Sequence, residues 1–235
     1  MKVIILAGGL GTRISEETMD KPKPMVLING KPILWHLMNI FASQGFNDFV
    51  IACGYKGDVI KKWADAESRV SRWKIDALDT GLETQTGGRI KTCLEFLEDE
   101  KIFATYGDGL ANVNLQSLIQ LHNKNESLVT LTAVRPPARF GYLDIQGNQV
   151  KHFGEKNQSD VGWINGGFFI LDSKVKDFIH DYSEPFETGA LPRLVKNNKL
   201  TAYLHDGFWQ PMDTLREKND LELLAKQTLP PWLNL

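Results

Sequence analysis

The sequence predicts an α/β fold in which a mixed, mostly parallel sheet carries helices on both faces. Segments typical of strands and of amphipathic helices alternate along the first half of the chain, which is the pattern of βαβ units. A short apolar run, Val3 to Leu6, leads directly into a group of glycines. The chain has 235 residues, of which 42% are hydrophobic, and this length suits one large α/β domain or two small ones.

The elements of the first half are predicted from the spacing of apolar residues. Strands are assigned to short apolar runs bounded by turn residues, and helices to apolar residues three or four positions apart. Asp58 is predicted as the N-cap of its helix. The predicted strands are residues 2–6, 48–53, 74–78, 102–106 and 128–134, and the predicted helices are residues 33–43, 58–66, 87–97 and 115–123.

The second half is predicted to be richer in β-structure. Short strands are expected at residues 141–145, 149–153 and 167–171, with a hairpin turn at Gly147 and Asn148. A C-terminal helix and tail are predicted for residues 216–235, in which residues 229–233 form an ordered packing extension. No internal repeat or low-complexity linker divides the chain.

Composition and charge argue against several classes of function. The net charge is −2, and no basic stripe or Lys/Arg cluster favours nucleic acid or a membrane as a partner. No apolar stretch is long enough to span a bilayer, and the first apolar run is too short for a signal peptide, so a soluble cytoplasmic protein is expected. Cys53 and Cys93 are predicted to be buried, reduced thiols, and zinc is not expected because the cysteines and histidines lack a ligand pattern.

The first predicted strand runs into a loop that offers glycines, a hydroxyl and a cation. The loop is not the dinucleotide fingerprint, because Ile14 stands where the third glycine would be needed, and it lacks the Gly-Lys-Ser/Thr of a P-loop. Taken alone, these glycines are equally well explained as a tight turn. The residues concerned are Gly8, Gly9, Gly11, Thr12 and Arg13.

A second cationic segment follows the loop and strengthens its interpretation as a phosphate site. Lys21 and Lys23 each precede a proline, which predicts that both are held extended and outside any helix. This segment is either a solvated loop or a stiff arm that places Lys23 against a phosphate. Together with Arg13, it favours a nucleoside triphosphate as the ligand.

Two aspartates are candidate ligands for Mg²⁺. Asp108 follows the strand predicted at residues 102–106 and lies between two glycines, a pattern that is also typical of a plain turn. Asp213 lies in the aromatic and proline-rich segment 208–214, which is difficult to explain as a free loop. Magnesium prefers one or two carboxylates together with phosphate oxygens and water. Because ligands of such sheets bind at the carboxyl ends of the strands, the glycine loop and Asp108 are expected to face one crevice.

The combined motifs resemble the sugar-phosphate nucleotidyltransferases. The start of the chain, Leu-Ala-Gly-Gly-Leu-Gly-Thr-Arg followed by Pro-Lys-Pro, is similar to the signature of that family. Further motifs, which cover nearly the whole chain in the same order, look like those of the glucose-1-phosphate cytidylyltransferases. They are Thr86-Gly-Gly-Arg89, Tyr106-Gly-Asp-Gly109, Arg139-Phe-Gly141, Asn165-Gly-Gly-Phe-Phe169 and Phe208-Trp-Gln-Pro-Met-Asp-Thr214.

The resemblance implies a single Rossmann-like nucleotidyltransferase domain. Its nucleotide-binding half would span about residues 1–135 and its β-rich sugar-binding half about residues 136–215, before the C-terminal helix and tail at residues 216–235. The implied reaction is Mg²⁺-dependent transfer of CMP from CTP to a sugar 1-phosphate, giving CDP-glucose and pyrophosphate. The resemblance also implies a homo-oligomer.

The resemblance implies a role for each matching residue. Lys23 would contact the α-phosphate, Arg13 would hold the leaving pyrophosphate, and Asp108 and Asp213 would bind Mg²⁺. The nucleotide would lie along Leu6, Ala7, Gly8, Gly9, Gly11 and Thr12, and would also contact Thr84 and Arg89. The sugar phosphate would be bound by Gly141, Glu155, Lys156 and Asn165.

Two of these implied roles have alternatives. The segment around Thr86 is also compatible with an ordinary helix start, with Thr86 as N-cap and Arg89 exposed, although a helix N-terminus near phosphate is itself favourable. Glu155 and Lys156 match the start of the family's Glu-Lys-Pro motif, but Asn157 replaces the proline, so this loop is less stiff.

The chain departs from the cytidylyltransferases between Gly57 and Asp79, where its segment 58–78 is shorter than theirs. The shortening leaves subunit number, base and sugar open. Alternatives are another sugar 1-phosphate, such as a heptose or a modified hexose, or UTP or dTTP as the nucleotide. A non-catalytic sugar-nucleotide binding module is a remote alternative, which the presence of all four candidate charged groups disfavours.

Overall fold

The computed structural model describes residues 1–97, 100–136, 141–155 and 162–234. The strands are β1 Val3–Ala7, β2 Leu27–Ile28, β3 Lys31–Pro32, β4 Asp48–Cys53, β5 Lys74–Asp79, β6 Lys101–Tyr106, β7 Gly109–Ala111, β8 Val129–Val134, β9 Gly141–Gln146, β10 Gln149–Glu155, β11 Ile164–Asn165, β12 Phe169–Asp172, β13 Leu200–His205 and β14 Trp209–Pro211. The helices are α1 Ser15–Thr18, α2 Ile33–Ala42, α3 Gly57–Val70, α4 Thr86–Phe96, α5 Leu115–Asn125, α6 Ala190–Lys196 and α7 Leu215–Ala225.

The central sheet is mixed and mostly parallel, as predicted. Strands β5, β4, β1 and β6 lie side by side in parallel, and β12 then pairs antiparallel with both β6 and β8. Strand β13 pairs in parallel with the full length of β8, while β11 pairs with its last two residues. This order places β1 and β6 at the centre, with their carboxyl ends adjacent.

Helices cover both faces of this sheet, which confirms the predicted α/β architecture. Strand β1 is buried on both sides: Val3, Ile5 and Ala7 pack into one core cluster, and Ile4 and Leu6 into the other. The first cluster contains apolar residues of α2, α5 and α7, and the second those of α4 and α6. Burial on both faces is the reason why β1 has a continuous apolar sequence rather than an alternating one.

Several local predictions are confirmed and one is wrong. The strand predicted at residues 48–53 coincides with β4, and the hairpin turn at Gly147 lies between β9 and β10 with φ at +61°. The tail packs as expected, because Trp232 is fully buried against His36 and Phe208. Asp58 is not the N-cap of α3: Lys56 occupies that position in the left-handed conformation.

Both cysteines are buried and unpaired, as predicted. Burial raises the pKa of each thiol to about 12, so both remain protonated and unreactive at neutral pH. Over the described ranges, no helix combines the length and apolar character needed to cross a membrane.

Candidate active site

A cleft of about 510 Å³ opens at the carboxyl ends of β1 and β6, where the sequence predicted a crevice. One wall is the glycine-rich loop that follows β1, and the opposite wall is the segment before α4. The structure brings most of the predicted nucleotide-site residues to this cleft. Its lining includes Leu6, Ala7, Gly8, Gly9, Gly11, Thr12, Arg13, Lys23, Thr84, Arg89 and Asp108.

Four charged side chains form a compact cluster at the cleft. Lys23 Nζ lies 2.6 Å from Asp108 Oδ2 and 2.6 Å from Asp213 Oδ1, so one ammonium group bridges both carboxylates. Arg13 donates to the other oxygen of Asp213 at 2.6 Å. The two aspartates that the sequence suggested as partners therefore do lie together.

The charge of Lys23 is sustained by its neighbours. Only 7% of Lys23 is exposed, and burial on its own would lower its pKa. The carboxylate of Asp108, and then that of Asp213, outweigh burial and raise the pKa of Lys23 above its ordinary value. Lys23 is therefore a fixed cation throughout the physiological pH range.

The backbone around Lys23 differs from the prediction. Lys23 begins a short 3₁₀ turn, Lys23–Met25, so the expectation that it is extended is wrong. Pro22 is extended, with ψ at 155°, but Pro24 occupies an early position of the turn, where its missing N–H group is not needed. The turn directs the ammonium group inward to the aspartates rather than outward as an arm.

A small second sheet places Asp213 beside Asp108. Strand β14 pairs antiparallel with β7, and the amide of Met212 donates to the carbonyl oxygen of Asp108 at 2.9 Å. Asp213 is the residue after Met212, so this pairing sets it beside Asp108. Thr214 then caps α7 in a capping box with Glu217, which also accepts from the Asp213 amide and so orients the backbone there.

The donor set of this cluster fits a magnesium ion. Two carboxylates from distant parts of the chain share one cationic partner, and oxygen ligands of this kind suit a hard divalent cation that also binds phosphate oxygens. In the described part of the chain, no three or more His, Cys, Asp or Glu side chains group around a possible metal position. The arrangement therefore suits an ion shared with a ligand rather than one fully enclosed by protein.

The segment that carries Arg13 is held from two sides. Gly11 has φ at +67°, which a glycine adopts without strain, and the chain then turns into the short α1. Lys56 Nζ donates to the carbonyl oxygens of Thr18 and Met19 at the end of α1. The side chain of Arg13 is 72% exposed, so it is the most exposed member of the charged cluster.

Arg89 lines the cleft, and the alternative prediction that it is exposed is wrong. It is neither exposed nor free, because only 4% of it is accessible and its guanidinium bonds to five protein oxygens. Those acceptors are the carbonyl oxygens of Gly8, Cys53, Gly81 and Leu82 and the hydroxyl of Thr80. Arg89 therefore ties the glycine loop to the ends of β4 and β5.

The glycine at position 8 makes room for this arginine. A Cβ atom at Gly8 would lie 2.1 Å from the guanidinium carbon of Arg89. The absence of a side chain there thus serves the protein's own cation, whereas Gly9 has open space around its Cα. Of the first two glycines in the loop, only Gly9 has open space where a side chain would stand.

The start of α4 packs on one side against residues 182–184, while Gln85 and Thr86 line the cleft. The amide of Gln85 donates to the carbonyl oxygen of Tyr182, and that of Gly87 to the carbonyl oxygen of Glu184. A Cβ atom at Gly88 would lie 2.0 Å from the Tyr182 carbonyl oxygen, so this close packing requires glycine. The prediction of Thr86 as N-cap is wrong, since Gln85 holds that position, and a phosphate at this helix start stays a prediction.

A chain of hydrogen bonds links the start of α4 to Asn165 through Glu187 and Tyr106. Asn165 Nδ2 donates to the Tyr106 hydroxyl at 2.9 Å, and that hydroxyl donates to Glu187 at 2.6 Å. The other oxygen of Glu187 accepts from the hydroxyl of Thr86 at 2.6 Å. Of these residues, only Asn165 was predicted as a site residue. Glu187 was missed because it belongs to no motif, and only the aromatic residue before Gly-Asp hinted at Tyr106.

Two of the remaining predicted sugar-site residues, Gly141 and Glu155, lie on a separate hairpin. Gly141 and Glu155 are direct partners at the open end of the β9–β10 hairpin, so the fold places them side by side. Lys156 lies outside the described residues, as do Arg139 and Phe140. Trp209 donates from its ring nitrogen to the Gly166 carbonyl oxygen at 3.0 Å and so fixes the loop that follows Asn165.

Comparison with known proteins shows similarity over almost the whole chain. The nucleotidyl transferase family model matches residues 2–216. The chain is 46% identical to the glucose-1-phosphate cytidylyltransferase of Salmonella typhi over 253 aligned positions, which cover 99% of this chain and 98% of that protein. It is 40% identical to the probable glucose-1-phosphate cytidylyltransferase of Bacillus subtilis, with 99% of both chains covered.

Solved structures include a similar fold. HddC from Yersinia pseudotuberculosis, in a crystal structure complexed with GMP-PN, has a TM-score of 0.74 and 28% sequence identity to this chain. The similarity covers 96% of this chain and 99% of HddC.

The alignment with the Salmonella protein spans 253 positions while this chain has 235 residues, so at least 18 of those positions have no residue here.

Proposed function

This chain belongs to the nucleotidyl transferase family, and we propose that it transfers CMP from CTP to glucose 1-phosphate, giving CDP-glucose and pyrophosphate. The observation that carries the proposal is the cluster of Lys23, Arg13, Asp108 and Asp213 beside a cleft walled by a glycine-rich loop. Such a cluster offers cations for a triphosphate and carboxylates for a metal ion at one point.

The proposed reaction is a direct displacement. An oxygen of the sugar phosphate forms a bond to the α-phosphorus of CTP, and the bond from that phosphorus to the bridging oxygen of pyrophosphate breaks. The sugar phosphate is already anionic at neutral pH, so no general base is needed. The protein then acts by positioning both substrates and by neutralising charge on the transferring group.

The charged residues divide this work according to their burial. Lys23 is buried and fixed, which suits contact with the α-phosphate, where the geometry of attack is decided. Arg13 is mostly exposed at the mouth of the cleft, which suits contact with the departing pyrophosphate. Leu6 to Gly11 and Thr84 provide the surface for the base and ribose, while Arg89 supports that surface from behind.

We propose Mg²⁺ as the cofactor, held by Asp108 and Asp213. When bound, the ion would neutralise charge on the triphosphate. Lys23 keeps the two carboxylates together, so the aspartates are already gathered at one point. On the sugar side, Asn165, Gly141, Glu155 and Lys156 are the proposed contacts.

A second candidate keeps the same chemistry but changes a substrate. At least 18 positions of the alignment with the Salmonella protein have no residue in this chain, and we infer that they fall in segment 58–78, which would leave base and sugar selectivity open. The likeness to HddC, whose structure contains GMP-PN, is the reason to include purine nucleotides in the assay.

The decisive experiment is pyrophosphate release with Mg²⁺ and glucose 1-phosphate, run in parallel with CTP, UTP, dTTP, ATP and GTP. Release with CTP alone is expected. Release with another nucleotide instead would show that the proposed base is wrong. If none of the five nucleotides gives release, a panel of other sugar 1-phosphates is tested next. Asp213→Asn keeps the size of the side chain and should nearly abolish release while leaving the thermal midpoint close to that of the unaltered chain.

A further inference from the structure

The hydrogen bonds around Glu187 can be assigned a direction without ambiguity. The amide of Gly167 can only donate, and it lies 3.0 Å from Asn165 Oδ1, so the nitrogen of this side-chain amide must face Tyr106. The Tyr106 hydroxyl accepts that N–H and therefore gives its own proton to Glu187 Oε1.

A second arm reaches the same carboxylate from the nucleotide side. The amide of Phe186 donates to the Thr86 hydroxyl oxygen at 2.8 Å, so this hydroxyl directs its proton to Glu187 Oε2. Both arms begin at backbone N–H groups and end at Glu187. The carboxylate is thus the common acceptor, and it fills this role only in its ionised form.

One proton of Asn165 is left for a ligand by this arrangement. Of the two N–H groups on Asn165 Nδ2, one is used by Tyr106, and the described part of the chain provides no hydrogen-bond acceptor for the other. Asn165 is half-buried beside Tyr106, which lines the cleft. If the Tyr106 hydroxyl lost its acceptor, it could turn its proton to Asn165 and compete for the orientation of the amide.

We propose that Glu187 is a positioning residue for the sugar phosphate: through the Tyr106 hydroxyl it holds the Asn165 amide with an N–H group toward the sugar. This inference rests on the proposed function. It assigns to Glu187 no contact with either substrate and no part in the displacement itself. Loss of the hydrogen bonds from Glu187 through Tyr106 to Asn165 should therefore weaken sugar phosphate binding and leave nucleotide binding nearly unchanged.

The test measures KM for glucose 1-phosphate and for CTP in three variants. Glu187→Met keeps the length of the side chain and removes both acceptors, and Tyr106→Phe removes only the hydroxyl. Each should raise KM for glucose 1-phosphate about three- to tenfold, the range for one lost hydrogen bond, with KM for CTP changed less than about twofold. Glu187→Gln should restore most of the affinity, because its single oxygen can still accept from Tyr106 while Thr86 accepts from its amide.

Two controls separate positioning from general destabilisation. Tyr182→Phe removes another tyrosine–glutamate bond, the one to Glu95 on the exposed surface, and should leave both KM values unchanged. The double variant Glu187→Met with Tyr106→Phe should be no worse than either single variant, because both act through one hydroxyl.

The outcomes distinguish this inference from the proposed function. An unaltered chain that is inactive with every sugar 1-phosphate overturns the proposed function and this inference with it. An active chain in which Glu187→Met leaves KM for glucose 1-phosphate unchanged, or raises KM for CTP equally, overturns the inference alone. If Glu187→Met does not fold, an unchanged KM in Tyr106→Phe overturns it in the same way.

Discussion

Replacing Arg89 by methionine should destabilise the protein even when no substrate is present. Methionine keeps the unbranched apolar stem and removes the guanidinium. If Arg89 served as a contact for the nucleotide, its loss would weaken ligand binding and leave the free protein as stable as before. The structure instead commits Arg89 to five protein oxygens, so the free energy of unfolding should fall.

The expected loss is about 2–4 kcal/mol, which follows from the fate of each acceptor. The Gly8 carbonyl keeps a bond from the Tyr55 amide, and the Cys53 carbonyl keeps bonds from Thr80. The carbonyls of Gly81 and Leu82 lose a charged donor, but both residues are exposed and water can replace part of it. Removing a buried cation also recovers part of its desolvation cost, since burial lowers the pKa of Arg89.

Urea denaturation without ligand provides the measurement, with the loss read as a lower midpoint at an unchanged slope. Arg69→Met is the matched control, because Arg69 is exposed on α3 and should change stability by no more than about 0.5 kcal/mol. Equal denaturation midpoints for Arg89→Met and Arg69→Met would refute the conclusion that Arg89 stabilises the fold by tying the glycine loop to the ends of β4 and β5. KM for CTP should rise in Arg89→Met through the loosened glycine loop.

Two further predictions concern packing and pH. Gly88→Ala should destabilise the protein by about 1–3 kcal/mol, because its Cβ would lie 2.0 Å from the Tyr182 carbonyl oxygen. This loss is opposite to the usual stabilising effect of alanine in a helix interior. Gly109→Ala, whose Cβ would have no atom within 4 Å, is the control in the same thermal melt. Burial, and then the charge of Lys101, lowers the pKa of His122 to about 4. As pH falls below about 6.5, His122 becomes protonated in the unfolded chain but stays neutral in the folded protein. The free energy of unfolding should therefore fall by about 2 kcal/mol by pH 5. His122→Gln should lose less stability between pH 7 and pH 5, and an equal loss in both proteins would contradict this origin.

Local sequence patterns predicted much of the fold because short-range rules govern them. Strand β4 coincides with its prediction, since its apolar run is closed by a glycine and leaves little choice of boundary. Boundaries shifted where tertiary contacts intervene: α3 begins at Gly57 because Lys56 takes up a left-handed conformation and binds the end of α1. Strand β13 was missed because its pattern is only half-buried and its stability comes from pairing with β8.

The sequence by itself determined which residue types are candidates for the site. A glycine loop after a buried strand, two separated aspartates and a lysine between prolines indicate phosphate and metal chemistry, because few other residues can perform it. Only the tertiary structure decided how they are arranged. Lys23 meets partners 85 and 190 positions away, and Arg89 is buried against the glycine loop, where it donates to the Gly8 carbonyl oxygen. Such contacts depend on sheet order and loop packing, which bring together side chains that no local spacing relates.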